Sequence, residues 1–289
     1  MLKGSIVALI TPFKDASLDE ESYIKLIDYH LKNGTNGIVP GGTTGESPTL
    51  SHNEHKKIIE ISVKECNSRI PVIAGTGSNS TDEAIELSKF AEKAGSDALL
   101  IVTPYYNKPT QEGLYQHYKK INDNVGIPIV IYNIPSRSVI DMSVETMSKL
   151  YELKNIIGVK DATGDLKRVE LQKKSMGNEF IQLTGNDENA LEFNKLGGVG
   201  AIGVTANIAA KLSSEFQRAC VEDKEKAFEL DKILQPLHAA MFVESNPSPV
   251  KYAASLLKMC DPYVRLPLVE VQEVNKKKIS EALKDAKIL

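Results

Sequence analysis

The chain has 289 residues, of which 42% are hydrophobic and 25% charged, with a formal net charge of −3. The near-neutral charge balance, with no block of basic residues, argues against nucleic acid as a partner. No apolar run approaches the roughly 18 residues of a membrane span. Three widely spaced cysteines indicate reduced thiols, not disulfides or a zinc site. We therefore expect a cytoplasmic globular protein, long enough for one large domain.

Short apolar or β-branched runs alternate with longer helical patterns along most of the chain. The runs begin, in chain order, at Ser5, Gly37, Ile70, Ala98, Ile127, Ile156, Phe180 and Gly200. Several, such as 98–102 and 127–132, are apolar on both faces, which is typical of parallel strands covered by helices. Eight such units predict an α/β fold, the (β/α)8 TIM barrel, with a doubly wound open sheet as the alternative.

The pattern changes after the eighth predicted strand. From residue 208 onwards only helical segments follow, interrupted near Pro236 and between Glu244 and Pro249. We expect the barrel and its active site to occupy residues 1–207, and an all-helical C-terminal region to occupy residues 208–289. Such a region is suited to covering the barrel or to forming subunit contacts.

In a barrel, functional residues lie where the strands end at the C-terminal face. The second predicted strand runs into GGTTGES, residues 41–47. Glycines there let the backbone approach a ligand, and the hydroxyls of Thr43 and Thr44 can help to hold a carboxylate or an oxyanion. The alternative is a turn whose Thr and Ser side chains only cap a helix. Two adjacent glycines before two adjacent threonines favour a binding site.

Tyrosines collect at the ends of the fourth and fifth predicted strands. The fourth is followed by Tyr105 and Tyr106, and the fifth ends at Tyr132, with Arg137 close behind. Tyrosines in such positions usually pack, with the hydroxyl bonded to one partner. On a shared rim a phenol can also relay protons, and an arginine fork suits a substrate carboxylate.

Lys160 ends the sixth predicted strand and opens into a turn sequence. Apolar surroundings at the stem disfavour the ammonium, and the neutral amine is the form that acts as a Schiff-base nucleophile. A lysine that reaches from a buried strand to water is the alternative interpretation. The tyrosines, threonines and arginine predicted for the same face favour the nucleophile.

Other features argue against a bound metal ion and against a phosphorylated substrate. His52 and His55 lie three residues apart on a predicted helix, but no third metal ligand stands at a useful spacing, so we expect no metal. The loop after the seventh strand carries Asp187 and Glu188, acid where many barrels bind phosphate, which argues against a phosphorylated substrate.

Taken together, these motifs resemble those of the dihydrodipicolinate synthase family, within the N-acetylneuraminate lyase superfamily. The markers are GGTTGE at 41–46, YYN at 105–107, YNIPSR at 132–137, GVKDATG at 158–164 and Asn246-Pro247. The resemblance covers nearly the whole chain. It implies condensation of pyruvate with L-aspartate-4-semialdehyde to give 4-hydroxy-tetrahydrodipicolinate, the first committed step of diaminopimelate and L-lysine biosynthesis. No organic cofactor is implied, because the imine itself is the electron sink.

The resemblance also assigns catalytic roles. Lys160 would form an imine with pyruvate and then an enamine. Tyr132 would shuttle protons and would be linked through Thr43 to Tyr106, which in this family reaches in from the neighbouring subunit.

Binding roles follow in the same way. Thr43 and Thr44 would hold the pyruvate carboxylate, and Arg137 would hold the carboxylate of the semialdehyde. The backbone at Gly185 and Ile202 would line the pyruvate pocket.

The resemblance further implies a homotetramer built as a dimer of dimers, with L-lysine as a feedback inhibitor at the dimer interface. The matching effector positions are Ser47, His52, His55, Asn79, Glu83 and Tyr105. Local sequence offers a rival account: the segments beginning at Ser51 and Ser80 both fit a capping box, in which Glu83 would only close its own helix. Pro48 departs from the alanine of some lysine-sensitive relatives and could shift the backbone there.

Two other functions compete. Another pyruvate-dependent aldolase of the superfamily, cleaving N-acetylneuraminate or a 2-keto-3-deoxy sugar acid, would share Lys160 and Tyr132. Against it stand Thr43, where sialic acid lyases usually have serine, and Arg137, which suits a short carboxylate-bearing aldehyde better than a polyol. A barrel that has lost its chemistry and serves as a binding subunit would show a damaged site, whereas every expected residue is present.

Overall fold

The structure, a computed structural model, describes residues 2–289. Its parallel strands are β1 Gly4–Ala8, β2 Gly37–Val39, β3 Ile73–Gly75, β4 Ala98–Val102, β5 Ile129–Asn133, β6 Ile156–Asp161, β7 Ile181–Thr184 and β8 Gly200–Gly203. They form one sheet in which β8 pairs with β1, and an isolated bridge between Ile38 and Val72 joins β2 to β3. The sheet thus closes on itself, which confirms the predicted (β/α)8 barrel over the open sheet.

Each of the eight predicted runs coincides with a barrel strand. Two of the observed strands begin later than the sequence predicts, because Pro71 and Pro128 stand near the predicted starts. Proline has no N–H to give to a strand ladder, although both carbonyls still accept bonds from Ile38 and Leu99, at 3.0 and 2.8 Å. A small antiparallel pair, Phe13–Lys14 with Ser17–Leu18, was not predicted.

Helices follow the strands and cover the barrel. Within residues 2–207 they are α1 Glu20–Lys32, α2 His52–Cys66, α3 Thr81–Ala94, α4 Gln111–Asn122, α5 Pro135–Ser138, α6 Val144–Tyr151, α7 Lys167–Met176 and α8 Ala190–Lys195. Several begin at a hydroxyl N-cap, for example Ser51 before α2 and Thr110 before α4. Such caps satisfy orphan N–H groups of the first turn, so polar side chains define where these helices begin.

Two apolar regions meet at the strands. One face of the sheet packs inside the barrel, where Ile6, Val39, Leu183 and Ile202 contact one another in a cluster that includes Tyr132. The other face packs under the helices. The interior is therefore filled by side chains and leaves polar groups only towards the strand ends.

The C-terminal region contains α9 Ala210–Glu222, α10 Lys224–Met241, α11 Ser248–Leu256 and α12 Glu273–Asp285, and no strand lies in residues 208–289. Helix α9 packs on β1, and α10 packs against α9. The sequence predicted an interruption of the helices near Pro236, but this residue lies inside α10. It faces solvent, where water can satisfy the carbonyl whose helical bond the proline removes.

A buried ion pair joins α11 to the loop that follows β2. Lys251 Nζ lies 2.7 Å from Glu46 Oε1, and the two side chains are 0% and 1% exposed. The same ammonium donates to the Thr11 carbonyl at 2.9 Å, and the other Glu46 oxygen accepts from the Arg265 N–H at 2.9 Å. Burial lowers the pKa of Lys251, and the adjacent Glu46 carboxylate opposes that shift.

We predict that Lys251→Met lowers the free energy of unfolding by about 3–5 kcal/mol, because it leaves the Glu46 charge buried without a partner. Adding Glu46→Gln removes that charge and should recover part of the loss. Lys195→Met is the matched control, since its partner Glu192 and Lys195 itself are both exposed, and it should change stability by less than about 1 kcal/mol. Urea unfolding followed by circular dichroism measures all three. Equal losses in Lys251→Met and Lys195→Met would contradict a structural role for the buried pair.

Candidate active site

Lys160 and Tyr132 lie side by side at the end of the barrel interior. Strand register places Tyr132 on β5 directly beside Lys160 on β6. The Lys160 amine lies 4.2 Å from the centre of the Tyr132 ring, and the two residues are only 5% and 6% exposed. The lysine side chain is buried along its stem, and its amine ends over the face of a phenol ring and not in an ion pair or hydrogen bond with a surface residue. The pair therefore has the composition of a nucleophile with a proton carrier.

Gly185, in the loop after β7, makes room for the lysine stem. A Cβ at position 185 would lie 3.0 Å from Lys160 Cε and 2.8 Å from Ala162 Cβ. Any other residue would therefore push against Lys160. The Gly185 N–H donates to the Asp161 carbonyl at 2.7 Å, which ties this loop to the end of β6. Ile202, on the neighbouring β8, is fully buried in the interior cluster.

The GGTTGE loop crosses the same end of the barrel. Neither Thr43 nor Thr44 caps a helix: a 3-10 helix, Ser47–Thr49, follows without a side-chain cap, and α2 is capped by Ser51. The capping interpretation of the two threonines is therefore wrong. The Thr44 hydroxyl accepts from Asn246 Nδ2 at 2.9 Å, and Thr43 is half-buried.

The two glycines of this loop have different surroundings. Gly41 has φ +67°, and a Cβ there would lie 2.4 Å from His55 Nε2, so it packs against protein and not a ligand. A Cβ at Gly42 would meet only Val39 Cγ1, at 3.7 Å. Of the two, only Gly42 leaves the open space that we expected for close approach of a ligand.

Arg137 lies on the short helix α5 and borders a cavity of about 580 Å³. Its Nη2 donates to the Asn246 carbonyl at 3.5 Å, and its side chain remains exposed. Among the other lining residues are Ala162, Gly185, Glu188, His238 and Phe242. The cavity therefore leads from a guanidinium to the glycine that touches Lys160, a suitable path for a small carboxylate.

Asn246 is the site residue that the reasoning from chemistry missed. It is 5% exposed, and it contacts both Thr44 and Arg137 from the C-terminal region. The sequence showed it only as part of an Asn-Pro break between helices and as a marker of family resemblance. Because Asn246 and Thr44 are 202 residues apart in sequence, no local pattern indicated that they would be in contact.

Tyr106 is not brought to Lys160 within one chain. Its side chain is 89% exposed, and its backbone has φ +73°, a left-handed conformation that is unfavourable for a tyrosine. Tyr105, by contrast, is half-buried, and its carbonyl accepts from Asn79 Nδ2 at 3.1 Å. A large, exposed aromatic ring on a strained loop is typical of a residue that acts at an interface.

Four of the six predicted effector positions form two contacting pairs, His52 with Glu83 and Asn79 with Tyr105, whereas Ser47 and His55 bond to none of the other five. His52 Nε2 lies 2.8 Å from Glu83 Oε1, and the other Glu83 oxygen accepts from the Ser78 hydroxyl. At Ser51 and Glu54 both bonds of a capping box are present. At Ser80 only one is present: the Ser80 hydroxyl accepts from the Glu83 N–H, but the Ser80 N–H donates to the Ser78 hydroxyl and not to the Glu83 side chain. The prediction that Glu83 closes its own helix is therefore wrong, and its carboxylate is directed elsewhere.

His55 connects this region to the GGTTGE loop. Its Nε2 lies 2.7 Å from the Gly75 carbonyl and beside Gly41. Burial lowers the pKa of His55, so the ring is neutral at neutral pH. The Ser78 hydroxyl lowers the pKa of Glu83, against the opposing effect of burial, so this carboxylate is charged. Ser47 is half-buried, and Pro48 fits the first turn of its 3-10 helix, where no N–H is needed.

Across residues 2–289, no group of three or more His, Cys, Asp or Glu side chains is arranged to hold a metal ion. Over the same range, each helix is either too short or too polar to cross a membrane.

Comparison with known proteins gives consistent results. Residues 1–286 match the model of the Dihydrodipicolinate synthetase family. The 4-hydroxy-tetrahydrodipicolinate synthase of Pelagibacter ubique (strain HTCC1062) is 69% identical over the full length of both chains. Among solved structures, the dihydrodipicolinate synthase of Acinetobacter baumannii complexed with pyruvate is 47% identical, with a TM-score of 0.98 and full coverage of both chains. The enzyme from Cyanidioschyzon merolae with lysine bound is 34% identical, with a TM-score of 0.95 and 99% of each chain covered.

Proposed function

Because the chain belongs to the dihydrodipicolinate synthetase family and is an enzyme with the synthase activity of its relatives, we propose that it acts through an imine on Lys160. The substrates are pyruvate and L-aspartate-4-semialdehyde, and the product is 4-hydroxy-tetrahydrodipicolinate. The observation that carries this proposal is the buried Lys160 side chain, whose amine lies 4.2 Å from the centre of the Tyr132 ring. The sugar-acid aldolase alternative gains no support, since the relatives are named for the synthase reaction.

The chemistry begins with attack of the Lys160 amine on the carbonyl carbon of pyruvate. Loss of water gives the imine, which draws electrons from the neighbouring methyl group. Removal of one proton from that methyl carbon gives the enamine, and in this proposal Tyr132, whose ring centre lies 4.2 Å from the amine, carries the proton. Burial of the Lys160 side chain favours these steps, because competing hydrolysis by bulk water is reduced.

The second substrate then reacts at the enamine carbon. A new carbon–carbon bond forms to the aldehyde carbon, whose oxygen takes a proton and becomes a hydroxyl group. The substrate's own amine attacks the imine carbon and displaces Lys160, so the ring closes and the enzyme amine is regenerated. In this scheme Thr43 and Thr44 bind the pyruvate carboxylate, and Arg137 binds the carboxylate of the semialdehyde across the cavity.

We predict that borohydride with pyruvate labels the peptide containing Lys160 and that Lys160→Ala abolishes both labelling and turnover. Mass spectrometry locates the adduct, and condensation is assayed by coupling the product to its reductase. Lys251→Ala is unsuitable as a control because that lysine is structural, so Lys154→Ala, on the exposed turn before β6, serves instead and should retain both. An adduct on another lysine would refute the assignment. Labelling without condensation would favour the aldolase alternative.

We further propose that Tyr106 completes the proton relay of a neighbouring subunit in a homotetramer. The ring cannot serve its own site while it projects 89% exposed, and it therefore fits a site formed by two chains. Thr43, half-buried on the GGTTGE loop, would link it to Tyr132. Crossed relays of this kind require a two-fold interface.

We predict that co-expressed Tyr106→Phe and Lys160→Ala chains form mixed dimers with partial activity, since one of the two sites then contains both wild-type residues. Differently tagged chains allow the mixed species to be purified and assayed. The matched control is Tyr132→Phe mixed with Lys160→Ala. Tyr132 and Lys160 belong to the same chain's site, so no mixed site is complete and no rescue is expected. Equal activity in the two mixtures would contradict a crossed relay.

We also propose that L-lysine inhibits the enzyme at the cluster around Glu83 and His52. The charged Glu83 carboxylate is freed from helix capping and can receive an ammonium group. His55 supplies the connection to the active-site loop through Gly41 and Gly75, so a ligand that shifts α2 would shift that loop. Coupling of this kind requires only a difference in affinity between two loop positions.

We predict that L-lysine inhibits non-competitively with respect to pyruvate and that Glu83→Gln weakens this inhibition at least about tenfold, since a charge-assisted bond is lost. The uninhibited rate should change little. Glu86→Gln is the matched control: it lies on the same helix and pairs with Lys56 of α2 at 2.7 Å, as Glu83 pairs with His52. Steady-state inhibition curves decide the matter. Equal inhibition of Glu83→Gln and wild type would place the effector elsewhere.

A further inference from the structure

Two buried polar residues directly follow the proposed catalytic residues. Asn133 follows Tyr132 at the end of β5, and Asp161 follows Lys160 at the end of β6. Because side chains alternate along a strand, these two point out of the barrel towards the surrounding helices. They are opposite each other in the register, and they are 0% and 4% exposed. The outward faces of both catalytic strand ends are therefore buried.

The Asp161 carboxylate is held by four donors. One oxygen accepts from the Thr163 N–H at 2.9 Å and from the Thr163 hydroxyl at 2.6 Å. The other accepts from Arg168 Nε and from Gln172 Nε2, both at 3.0 Å. A buried carboxylate bonded in this way has one orientation, and the backbone of Lys160 is attached to it.

Arg168, on α7, also contacts the segment that holds Asn133. The Asn133 amide donates to Asp141 at 2.7 Å and accepts from the Met142 N–H at 3.0 Å. The Arg168 guanidinium donates to the Met142 carbonyl at 2.8 Å and lies 3.4 Å from the Asp141 carboxylate. One side chain, 8% exposed, thus contacts Asp161 directly and both partners of Asn133.

We propose that Arg168 is a positioning residue for the reaction. From outside the barrel it bridges the two strand ends that carry Tyr132 and Lys160, and so fixes the phenol relative to the amine. The role requires an arginine, because its planar fork presents five donors in fixed directions whereas a lysine ammonium is a compact point charge. The proposal rests on the proposed function of Lys160 and Tyr132, and Arg168 itself touches no substrate.

Arg168→Lys retains the charge and removes the fork. Imine formation is reversible, so slower proton transfers delay it but leave the amount trapped at saturating pyruvate unchanged. Transfer of the methyl proton needs Tyr132 correctly placed beside the imine, and misplacement by about 1 Å can cost about 100-fold. We expect kcat to fall by about 10- to 100-fold, while KM for pyruvate changes less than about threefold.

Two measurements on the intact enzyme separate these steps. Borohydride trapping at saturating pyruvate reports the imine on Lys160. Incorporation of deuterium into the methyl group of pyruvate, in D2O without the second substrate, reports the enamine, because a deuteron replaces the proton when the enamine reverts. For Arg168→Lys, trapping should equal that of wild type and deuterium exchange should fall in parallel with kcat. Unchanged exchange would overturn the proposal.

A control that weakens the attachment of the same helix distinguishes positioning from general loosening. Gln182 of β7 donates to the Val169 carbonyl of α7 at 3.2 Å and does not contact Asp161, so Gln182→Met should lower Tm without slowing exchange. If Gln182→Met slows exchange as much as Arg168→Lys does, the role of Arg168 is only structural. Should Arg168→Lys fail to fold, Gln172→Met removes another donor from Asp161, and the same separation of trapping from exchange is required of it.

The wild-type enzyme separates failure of this inference from failure of the proposed function. If pyruvate cannot be trapped on wild-type Lys160, the imine chemistry is refuted. If wild-type trapping succeeds but Arg168→Lys shows normal exchange, only the role of Arg168 is refuted.

Discussion

The parallel pairing of β5 with β6 is the constraint on which the candidate site depends. Its register places Tyr132 opposite Lys160 on the inner face and Asn133 opposite Asp161 on the outer face. A shift of either strand by one residue would turn its two side chains to the wrong faces of the sheet. The inner pair can serve chemistry because the outer pair is bonded to helices and loops, so function and structural support occupy alternate positions of the same two strands.

The C-terminal region is joined to the active site by direct bonds, not merely packed against the barrel. Asn246 reaches Thr44 and Arg137, and Lys251 reaches Glu46, four residues after Gly42. Glu46 itself is in the left-handed conformation, at φ +56°. Its bonds to Lys251 and to the Arg265 backbone offset the cost of that conformation and hold the loop across the end of the barrel.

Much of this arrangement can be predicted from the sequence, because local pattern determines it. Strand runs apolar on both faces indicated the barrel, and strand-end positions indicated Lys160, Tyr132 and the two threonines. Contacts between distant parts of the chain left no such pattern. The Asn246–Thr44 bond and the Lys251–Glu46 pair were therefore missed, and the Ser80 segment looked like a capping box because a motif does not reveal that Ser78 and His52 compete for Glu83.

The distance in sequence between Glu46 and Lys251 has a consequence for how the enzyme is made. The two residues are 205 positions apart, so a growing chain contains the whole GGTTGE loop long before it contains the ammonium that neutralises Glu46. Lys160 and Tyr132 are likewise synthesised before Lys251, whose bond to Glu46 holds the GGTTGE loop in place. A ribosome-bound chain ending before Lys251 consequently contains Lys160 but not the finished GGTTGE loop. Ordering of that loop therefore depends on a residue translated 205 positions later.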